Sequence, residues 1–435
     1  MKICMIGVGY VGLVSGTCFA DLGNNVYCVD KDKEKIDMLN SGEIPIYEPG
    51  LYEIVKKNYL AKRLKFTTDI GLAVRSSDIV FICVGTPSSK KNRSADLQFV
   101  YKVAAEISKH IKKFKIIICK STVPVMTGDH IEKIISKKIK KNFYEVISNP
   151  EFLREGDAIR DFRFPDRIVV GLNNKKVVKK ISTLYEPLIK KGAKLFLTSR
   201  RGAEIIKYAA NSFLATKISF INEIANLCEN IGVDVEDVSL GIGLDKRIGD
   251  RFLRAGPAYG GSCFPKDTQA ITITADRFKT NLSIIKSVIK SNENRKRFLT
   301  LKIEKILLNK IKNKKITFLG VTFKANTDDM RNSTSISMIP ALIKKGAKIT
   351  YYDPSGEKNE FSKFKNVFYC NNITDACDKA DLVIIHSEWD EFKTIDFKKI
   401  SRGKKLKIFD MRNLYSPKKM KNLGITYYSI GRPTY

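Results

Sequence analysis

A cysteine in a glycine-rich loop is the residue of this sequence best placed for covalent chemistry. Cys263 lies within GPAYGGSCFPKD, residues 256–267, directly before a Phe-Pro pair. An isolated cysteine is usually a small buried hydrophobic residue, but a constrained loop beside ionisable side chains favours a reactive thiolate. Lys266 and Asp267 are such side chains. We therefore predict that Cys263 is a nucleophile.

A lysine and an asparagine share one face of a long predicted helix. Between Gly202 and Ile231, apolar residues recur at helical spacing without an internal proline or glycine. Lys207 and Asn211 are four residues apart and so lie on the same side. A helix lysine is normally solvated, but Lys207 lies in a largely apolar stretch. A buried ammonium group would help to keep a nearby thiol ionised.

A glycine turn near the N-terminus indicates a dinucleotide site. GVGYVG follows an apolar run typical of a strand and precedes a predicted helix. In such a motif Gly7 permits the tight turn, Gly9 lets the backbone approach a pyrophosphate, and Gly12 allows close packing of helix on strand. The free N–H groups of the helix N-terminus then face the phosphates.

An acidic residue at the end of the second predicted strand favours NAD over NADP. Asp30 lies 18 residues after Gly12, where a carboxylate would accept hydrogen bonds from the adenosine ribose and repel a 2′-phosphate. Three nearby lysines weaken this preference: Lys31, Lys33 and Lys35.

These candidates depend on alternating strands and helices. Helical stretches separate most of the strand-like runs, which favours a doubly wound parallel sheet. The runs are Lys2–Ile6, Val26–Val29, Ile79–Val84, Lys115–Cys119, Glu145–Ile147 and Arg167–Val170. A second alternating region begins at residues 314–320. We predict an α/β protein with two Rossmann-like domains, joined by the long helix and a helical middle domain. The expected boundaries are 1–200, 201–310 and 311–435.

The composition sets limits on the class of protein. The chain has 435 residues, a hydrophobic content of 43% and a formal net charge of +32. No run of 18 apolar residues occurs, which excludes an integral membrane protein. Nucleic acid is an obvious candidate partner for such a charge, but the lysines are spread along the chain and no nucleic-acid-binding motif accompanies them. We expect neither a nucleic-acid nor a membrane partner.

Cysteine and histidine usage favours a cytoplasmic enzyme without a metal. Nine scattered cysteines in apolar segments suggest reduced thiols, and three histidines leave little material for a metal site. The first residues, with one lysine and an apolar stretch, resemble a signal peptide. Four glycines interrupt that stretch, however, and their spacing serves the turn described above.

Taken in order, the motifs resemble the UDP-glucose/GDP-mannose dehydrogenase family along essentially the whole chain. They are GVGYVG, VGTP, KSTVPVMTG, NPEFLREGDAI, KYAANSFLA, KRIGDRFLRAGPAYGGSCFPKD and FKANTDDMRNS. The resemblance implies four-electron oxidation of a nucleotide sugar at C6 with two NAD⁺ in succession, through a cysteine thiohemiacetal and thioester. CFPKD favours UDP-glucose and hence UDP-glucuronate as product. GDP-mannose, or another nucleotide sugar, is the alternative.

The resemblance also implies roles for individual residues. Cys263 would be the nucleophile, Lys207 and Asn211 would stabilise oxyanions, and Asp267 would orient water and the lysine. Glu151 would be the general base for thioester hydrolysis, and Thr122 a hydroxyl that positions water. Cofactor contacts would come from Gly7, Gly9, Tyr10, Val11, Gly12, Asp30, Lys35, Thr86, Thr122, Glu155, Lys266 and Arg331.

Substrate contacts follow from the same resemblance. They are Glu151, Phe152, Leu153, Lys207, Asn211, Arg247, Arg254, Tyr259, Gly260 and Lys324, with Arg412 as a further candidate. Arg247 would reach the sugar from a neighbouring subunit, which implies a homodimer built on the long helix, or a higher oligomer.

The sequence departs from the family pattern at two positions, and two other classes of protein are alternatives. Ala258 and Ala325 replace residues that are commonly glycine and proline in the family, and alanine would be strained at a position that needs a positive φ. β-Hydroxyacid dehydrogenases share an N-terminal dinucleotide fold and a helical domain but have no need of Cys263. A basic nucleic-acid-binding protein with an inactive Rossmann fold is disfavoured because Cys263, Lys207, Asn211 and Asp267 are all present.

Overall fold

The structure, a computed structural model, describes residues 1–87, 89, 94–401 and 406–433. The chain forms two compact units. Unit 1 comprises residues 1–210 and 273–279, and unit 2 comprises residues 211–272 and 280–435. Among the described residues, no helix is long and apolar enough to cross a membrane.

Unit 1 is built on an eight-stranded sheet. Its strands are β1 (Lys2–Ile6), β2 (Asn25–Val29), β3 (Leu64–Thr67), β4 (Ile79–Ile82), β5 (Lys115–Cys119), β6 (Tyr144–Ser148), β7 (Arg167–Gly171) and β8 (Lys194–Thr198). Their order is β3-β2-β1-β4-β5-β6-β7-β8. The central strands β4, β5 and β6 are wholly buried, as expected for continuous apolar runs covered on both faces.

Helices cover both faces of this sheet, and apolar clusters fill each side. They are α1 (Tyr10–Asp21), α2 (Lys33–Ser41), α3 (Leu51–Leu60), α4 (Ile70–Ser76), α5 (Gln98–His110), α6 (Thr127–Ser136), α7 (Ala158–Arg163) and α8 (Val178–Ile189). Short 3₁₀ helices span Lys141–Phe143 and Lys175–Val177.

The long predicted helix is α9 (Arg200–Ile231), and it belongs to both units. It begins two residues before the predicted start, and Gly232 in a left-handed conformation (φ 76°) follows its end. Three more helices come next in the chain: α10 (Val235–Gly243), α11 (Phe264–Arg277) and α12 (Ser283–Ile306).

Unit 2 contains a second, six-stranded sheet in which every neighbouring pair is parallel. Its strands are β9 (Lys315–Leu319), β10 (Lys348–Tyr352), β11 (Val367–Tyr369), β12 (Leu382–Ile385), β13 (Lys407–Asp410) and β14 (Thr426–Tyr428). Their order is β11-β10-β9-β12-β13-β14. The remaining helices are α13 (Ser335–Lys344), α14 (Ile373–Cys377), α15 (Phe397–Ser401) and α16 (Pro417–Asn422), with 3₁₀ helices at Asn359–Phe361 and Asp390–Thr394.

The predicted fold class is confirmed: both sheets have the Rossmann strand order around their first strand, and helices lie between them in sequence. Two strands, β7 and β8, depart from the predicted parallel arrangement of the first sheet. β7 pairs antiparallel with β6 through Ser148 and Gly171, and β8 then runs parallel to β7. Strand direction is set by how the chain returns to the sheet, which apolar runs do not encode. The three domain boundaries stay a prediction.

Candidate active site

The glycine turn of unit 1 has the shape that a dinucleotide needs. Gly7 has φ 99°, and a Cβ there would lie 2.9 Å from the Cys83 carbonyl carbon. A Cβ on Gly12 would lie 1.8 Å from the Gly7 oxygen, so the helix packs directly on the turn. At Gly9, by contrast, a Cβ would meet no described atom within 4 Å. The backbone is therefore open at the one glycine that should face the pyrophosphate.

Asp30 is held at the edge of this turn. Its Oδ2 accepts the amide of Val8 at 2.8 Å, and Oδ1 accepts the amide of Asp32 at 3.1 Å. The Nζ of Lys35 lies 4.0 Å from Oδ2. Tyr10 and Val11, which form the first turn of α1, are both half-buried. A fixed carboxylate beside an open glycine turn fits a dinucleotide with a free ribose diol.

The loops after β4 and β5 are joined at the carboxyl edge of the sheet. The Thr86 hydroxyl donates to the Thr122 carbonyl at 2.9 Å, and the Ser121 hydroxyl donates to the Val84 carbonyl at 2.7 Å. Ligands of open α/β sheets bind at this edge. The side chain of Thr122 is half-exposed in this position.

Glu151 and Lys207 form a buried ion pair within unit 1. Their Oε1 and Nζ atoms are 3.3 Å apart, and both side chains are at most 5% exposed. The other carboxylate oxygen accepts the amide of Leu153 at 2.5 Å. The Phe152 ring lies 5.1 Å from the Lys207 ammonium and 4.0 Å from the Arg167 guanidinium. The predicted base and lysine are thus held in one geometry.

A second buried lysine, Lys120, was not singled out from the sequence. It donates to the Asn149 Oδ1 at 3.3 Å, and it lines the same small cavity as Glu151 and Phe152. Burial lowers the pKa of Lys120, although Glu151 opposes the shift. The sequence signal that could have identified Lys120 was its position inside the KSTVPVMTG motif, directly after an apolar strand.

Cys263 lies in unit 2, directly before α11, and its side chain is partly exposed. Its carbonyl accepts the Asp267 amide at 2.9 Å, so the residue occupies the N-terminal end of the helix. The partial positive charge at a helix N-terminus stabilises a thiolate. The nine cysteines, all within the described residues, form no disulfide. Cys263 is therefore a thiol outside the buried core.

Asn211 and Asp267 are joined in unit 2. The Asn211 amide donates to Oδ2 of Asp267 at 2.6 Å, and Lys266 contacts Oδ1 at 2.6 Å. Asp267 is 1% exposed, so both of its oxygens are held by protein groups in a dry environment. On α9, Asn211 follows Lys207 by one helical turn.

The cysteine loop packs against the FKANTDDMRNS segment of the same unit. The Gly261 amide donates to the Arg331 carbonyl at 2.7 Å. A Cβ on Gly260 would lie 2.5 Å from the Asn332 oxygen, and one on Gly261, where φ is 77°, would lie 2.8 Å from the Phe323 ring. Only glycine allows this approach. Ala258 is not among the residues with positive φ, so alanine is unstrained there.

Tyr259 is fixed by a residue that the motifs did not indicate. Asn292 on α12 accepts the Tyr259 amide at 2.8 Å and donates to the Tyr259 carbonyl at 3.0 Å. The Tyr259 ring then meets Phe264 edge-on, with centroids 6.1 Å apart. A polar residue at one position of a long helix carries no sequence signal for such a role.

The predicted cationic contacts are placed differently from one another. Lys324 lies beside the Phe323 ring, and Arg254 is exposed. Arg412 donates to the carbonyls of His386 and Phe323. Arg247 forms an ion pair with Asp245, and its side chain is 90% exposed. Arg247 therefore does not contact the other predicted site residues that the structure describes in unit 2. Arg331 forms an ion pair with Asp329, and Glu155 is half-buried.

No cluster of three metal-ligating residues occurs among the described residues.

Three domains of one protein family match the chain in order. Residues 1–189 match the NAD binding domain of the UDP-glucose/GDP-mannose dehydrogenase family. Residues 201–294 match its central domain, and residues 317–417 match its UDP binding domain.

Individual relatives extend over the whole chain. A UDP-glucose 6-dehydrogenase of Rhizobium meliloti is 48% identical over 436 residues, with 100% of both chains covered. One of Bacillus subtilis is 45% identical, covering 99% of this chain and 93% of the relative. The solved structure of a UDP-glucose dehydrogenase from Pyrobaculum islandicum superposes with a TM-score of 0.90 at 33% identity, covering 98% of this chain and 96% of that one.

Proposed function

The chain belongs to the UDP-glucose/GDP-mannose dehydrogenase family, and on that basis we propose that it oxidises UDP-glucose at C6 to UDP-glucuronate. The cofactor is NAD, and the chain is an NAD-dependent enzyme. The observation that carries the proposal is the partly exposed Cys263 at the start of α11, four residues before a buried Asp267 that holds Asn211. Such a thiol supplies the covalent adduct from which the second hydride can leave.

NAD⁺, when bound, supplies the hydride acceptor for both oxidations. Unit 1 would hold it at the open backbone of Gly9, with the carboxylate of Asp30 on the ribose diol. Further cofactor contacts are proposed for Tyr10, Val11, Lys35, Thr86, Thr122, Glu155, Lys266 and Arg331.

The cysteine explains how an aldehyde becomes an acid. The first oxidation converts the C6 alcohol to an aldehyde. The Cys263 thiolate then adds to the carbonyl carbon, and the resulting thiohemiacetal has a tetrahedral C6 that retains one hydrogen. Loss of that hydrogen with its electron pair gives a thioester. Water cleaves the C6–sulfur bond, which releases the carboxylate and restores the thiol.

Lys207 and Asn211 would stabilise the charged oxygen at C6, and Asp267 would orient water and the lysine. An amide N–H and an ammonium group are suitable donors to an oxyanion, and in a dry environment such donors act more strongly than in water. The Asp267 carboxylate orients the Asn211 amide through its 2.6 Å hydrogen bond. Loss of Asp267 would therefore disorder a donor as well as remove a charge.

Glu151 would act as the base for hydrolysis of the thioester. Its carboxylate is held by the Leu153 amide and by Lys207, so its orientation is set before water arrives. Thr122 would position the water. The proposed substrate contacts are Phe152, Leu153, Arg254, Tyr259, Gly260 and Lys324, together with Lys207, Asn211 and Glu151.

We also propose a homodimer, or a higher homo-oligomer, built on α9. Large apolar side chains recur along the exposed part of this helix at Phe213, Phe220, Leu227 and Ile231. A stripe of this kind is typical of a protein interface. The exposed Arg247 would then serve the partner's substrate. Reduced cysteines favour the cytoplasm as the working compartment.

A sugar-nucleotide assay tests the function. Purified protein is incubated with NAD⁺ and either UDP-glucose or GDP-mannose, and the NADH formed is followed by its absorbance. We expect two NADH per UDP-glucose. Faster turnover of GDP-mannose would overturn the substrate assignment. The Cys263→Ser variant should lose at least about 10³-fold in four-electron turnover, whereas Cys370→Ser, a matched change at another partly exposed thiol, should leave it unchanged.

A further inference from the structure

A buried glutamate outside every predicted motif joins two other segments of unit 1. Glu48 lies in the connection between α2 and α3 and is 7% exposed. Its Oε1 accepts the amide of Ala158 at 2.7 Å and that of Ile159 at 3.4 Å. Its Oε2 accepts the amide of Gly156 at 2.6 Å and the hydroxyl of Tyr10. The carboxylate is saturated with donors.

The segments joined in this way are the glycine turn and the loop of the proposed base. Tyr10 is the first residue of α1 and directly follows Gly9. Gly156 has φ 84° and directly follows the loop 151–155, whose first residue is Glu151 and whose last is Glu155. The Tyr10 hydroxyl also accepts the Gly156 amide at 2.8 Å. Tyrosine, glutamate and loop therefore form one closed hydrogen-bonded triangle.

The direction of each hydrogen bond in this triangle is defined. Burial, together with the hydrogen bond to Glu48, raises the pKa of Tyr10 above its ordinary value. The phenol therefore stays protonated and donates to the Glu48 carboxylate, which also accepts hydrogen bonds from the loop amides.

The neighbouring Arg154 anchors the other side of the loop through two contacts with Asp161, at 2.9 and 2.7 Å.

We propose that Glu48 is a positioning residue that couples the cofactor-binding turn to the loop carrying Glu151 and Glu155. Pyrophosphate binding at Gly9 would fix the first turn of α1 and thus the Tyr10 ring. Glu48 passes that constraint to the amides of Gly156 and Ala158. The loop is then ordered when the cofactor site is filled, and the cofactor binds better when the loop is in place. This inference rests on the roles proposed above for NAD and Glu151.

Two variants separate the parts of the triangle. Glu48→Gln replaces one acceptor oxygen by an NH₂ group, which cannot accept a hydrogen bond. The hydrogen bonds at that oxygen, either those of Tyr10 and Gly156 or that of Ala158, are therefore lost. Tyr10→Phe removes only the phenol hydroxyl and leaves the carboxylate on the loop amides. Glu53→Gln, an exposed glutamate in the first turn of α3, is the matched control for loss of one negative charge.

Affinity for NAD⁺ is measured by calorimetry without any sugar nucleotide. We expect Kd to rise about 10-fold in Glu48→Gln and about 3-fold in Tyr10→Phe, with no change in Glu53→Gln. The double variant should be no weaker than Glu48→Gln, because both changes break the same link. Additive losses would contradict the coupling, as would an unchanged Kd in both single variants.

Hydrogen exchange of the peptide covering residues 151–162 provides the second readout. In the unaltered protein, NAD⁺ should slow amide exchange in this peptide about 10-fold. In Tyr10→Phe this effect of NAD⁺ should disappear, even if Glu48→Gln fails to fold. A purely structural role for Glu48 would lower the unfolding temperature but leave the NAD⁺ effect in Tyr10→Phe intact, and that result would overturn the proposal. Both readouts need NAD⁺ alone, so failure to oxidise UDP-glucose would count only against the proposed function.

Discussion

Each sheet has the same backbone turn after its first strand, but the aspartate that accepts from this turn is half-buried in the first sheet and fully buried in the second. After β1, the Gly7 amide donates to the Val29 carbonyl and the Val8 amide donates to Asp30. After β9, the Gly320 amide donates to the Tyr352 carbonyl at 2.7 Å and the Val321 amide donates to Asp353, also at 2.7 Å. Gly320 has φ 76°, and Gly7 has φ 99°. The same backbone turn is thus present twice.

The difference lies in the residues after the turn. Thr322 stands where the first turn has Gly9, and its amide and hydroxyl both donate to Asp353. The Ser355 amide donates to the other carboxylate oxygen, so both oxygens of Asp353 accept hydrogen bonds. The residue is also completely buried. The first helix after this turn, α13, begins only at Ser335, whereas α1 begins at Tyr10. Asp353 is therefore held entirely by neighbouring protein groups, whereas Asp30 is half-buried and accepts two backbone amides.

The largest effect that tests this comparison is expected at Gly9. A Cβ there would meet no described atom within 4 Å, and φ has an ordinary value of −80°, so Gly9→Val should leave the unfolding temperature nearly unchanged. The valine side chain would fill the space that pyrophosphate needs. We expect Kd for NAD⁺ to rise at least about 100-fold, measured by calorimetry. Tight binding by Gly9→Val would show that the first turn is not the cofactor site.

The two aspartates should respond in opposite ways. Asp353→Asn leaves buried backbone donors facing an NH₂ group, so it should lower the free energy of unfolding by about 2–4 kcal/mol without changing NAD⁺ affinity. Asp30→Asn should weaken NAD⁺ binding about 10-fold with a smaller loss of stability. Denaturant unfolding and NAD⁺ titration of both variants check this pair. Similar losses of affinity in both would remove the distinction between the turns.

The smallest expected effect concerns pH and a buried carboxylate of unit 1. Glu204 accepts the amides of Met126 and Gly128 and the Ser148 hydroxyl, and burial raises its pKa to about 7. Because the folded pKa lies above the unfolded value, the stabilisation is complete below about pH 4.5 and is lost as the pH rises through 7.

The unfolding temperature should therefore fall by about 2–4 °C between about pH 5 and 7.5 for this reason. Glu204→Gln should lack that component, and its curve should run flatter than that of the unaltered protein. Exposed Glu53→Gln serves as the control. Parallel curves for all three proteins would exclude Glu204 as the titrating group.

Edge strands and contacts between distant segments are the features that the sequence did not reveal. The apolar runs of β1 and β5 were predicted to the residue, whereas β3 and β8, at the two edges of the first sheet, were not identified. Both edge strands are partly exposed and each contains a lysine, so their apolar signal is weak. Lys120, Asn292 and Glu48 were also missed, because each acts through a contact with a residue that is distant in sequence.

The sequence by itself determined what depends on neighbouring residues: the glycine turn, the long helix with Lys207 and Asn211 on one face, and a cysteine in a glycine-rich loop. These follow from local steric and periodic rules. Tertiary structure alone decided that Glu151 meets Lys207, that Asn211 meets Asp267, and that Asp353 is saturated while Asp30 is not. Each of those facts depends on which segments pack together, and packing brings together residues whose separation in sequence carries no information about their contact.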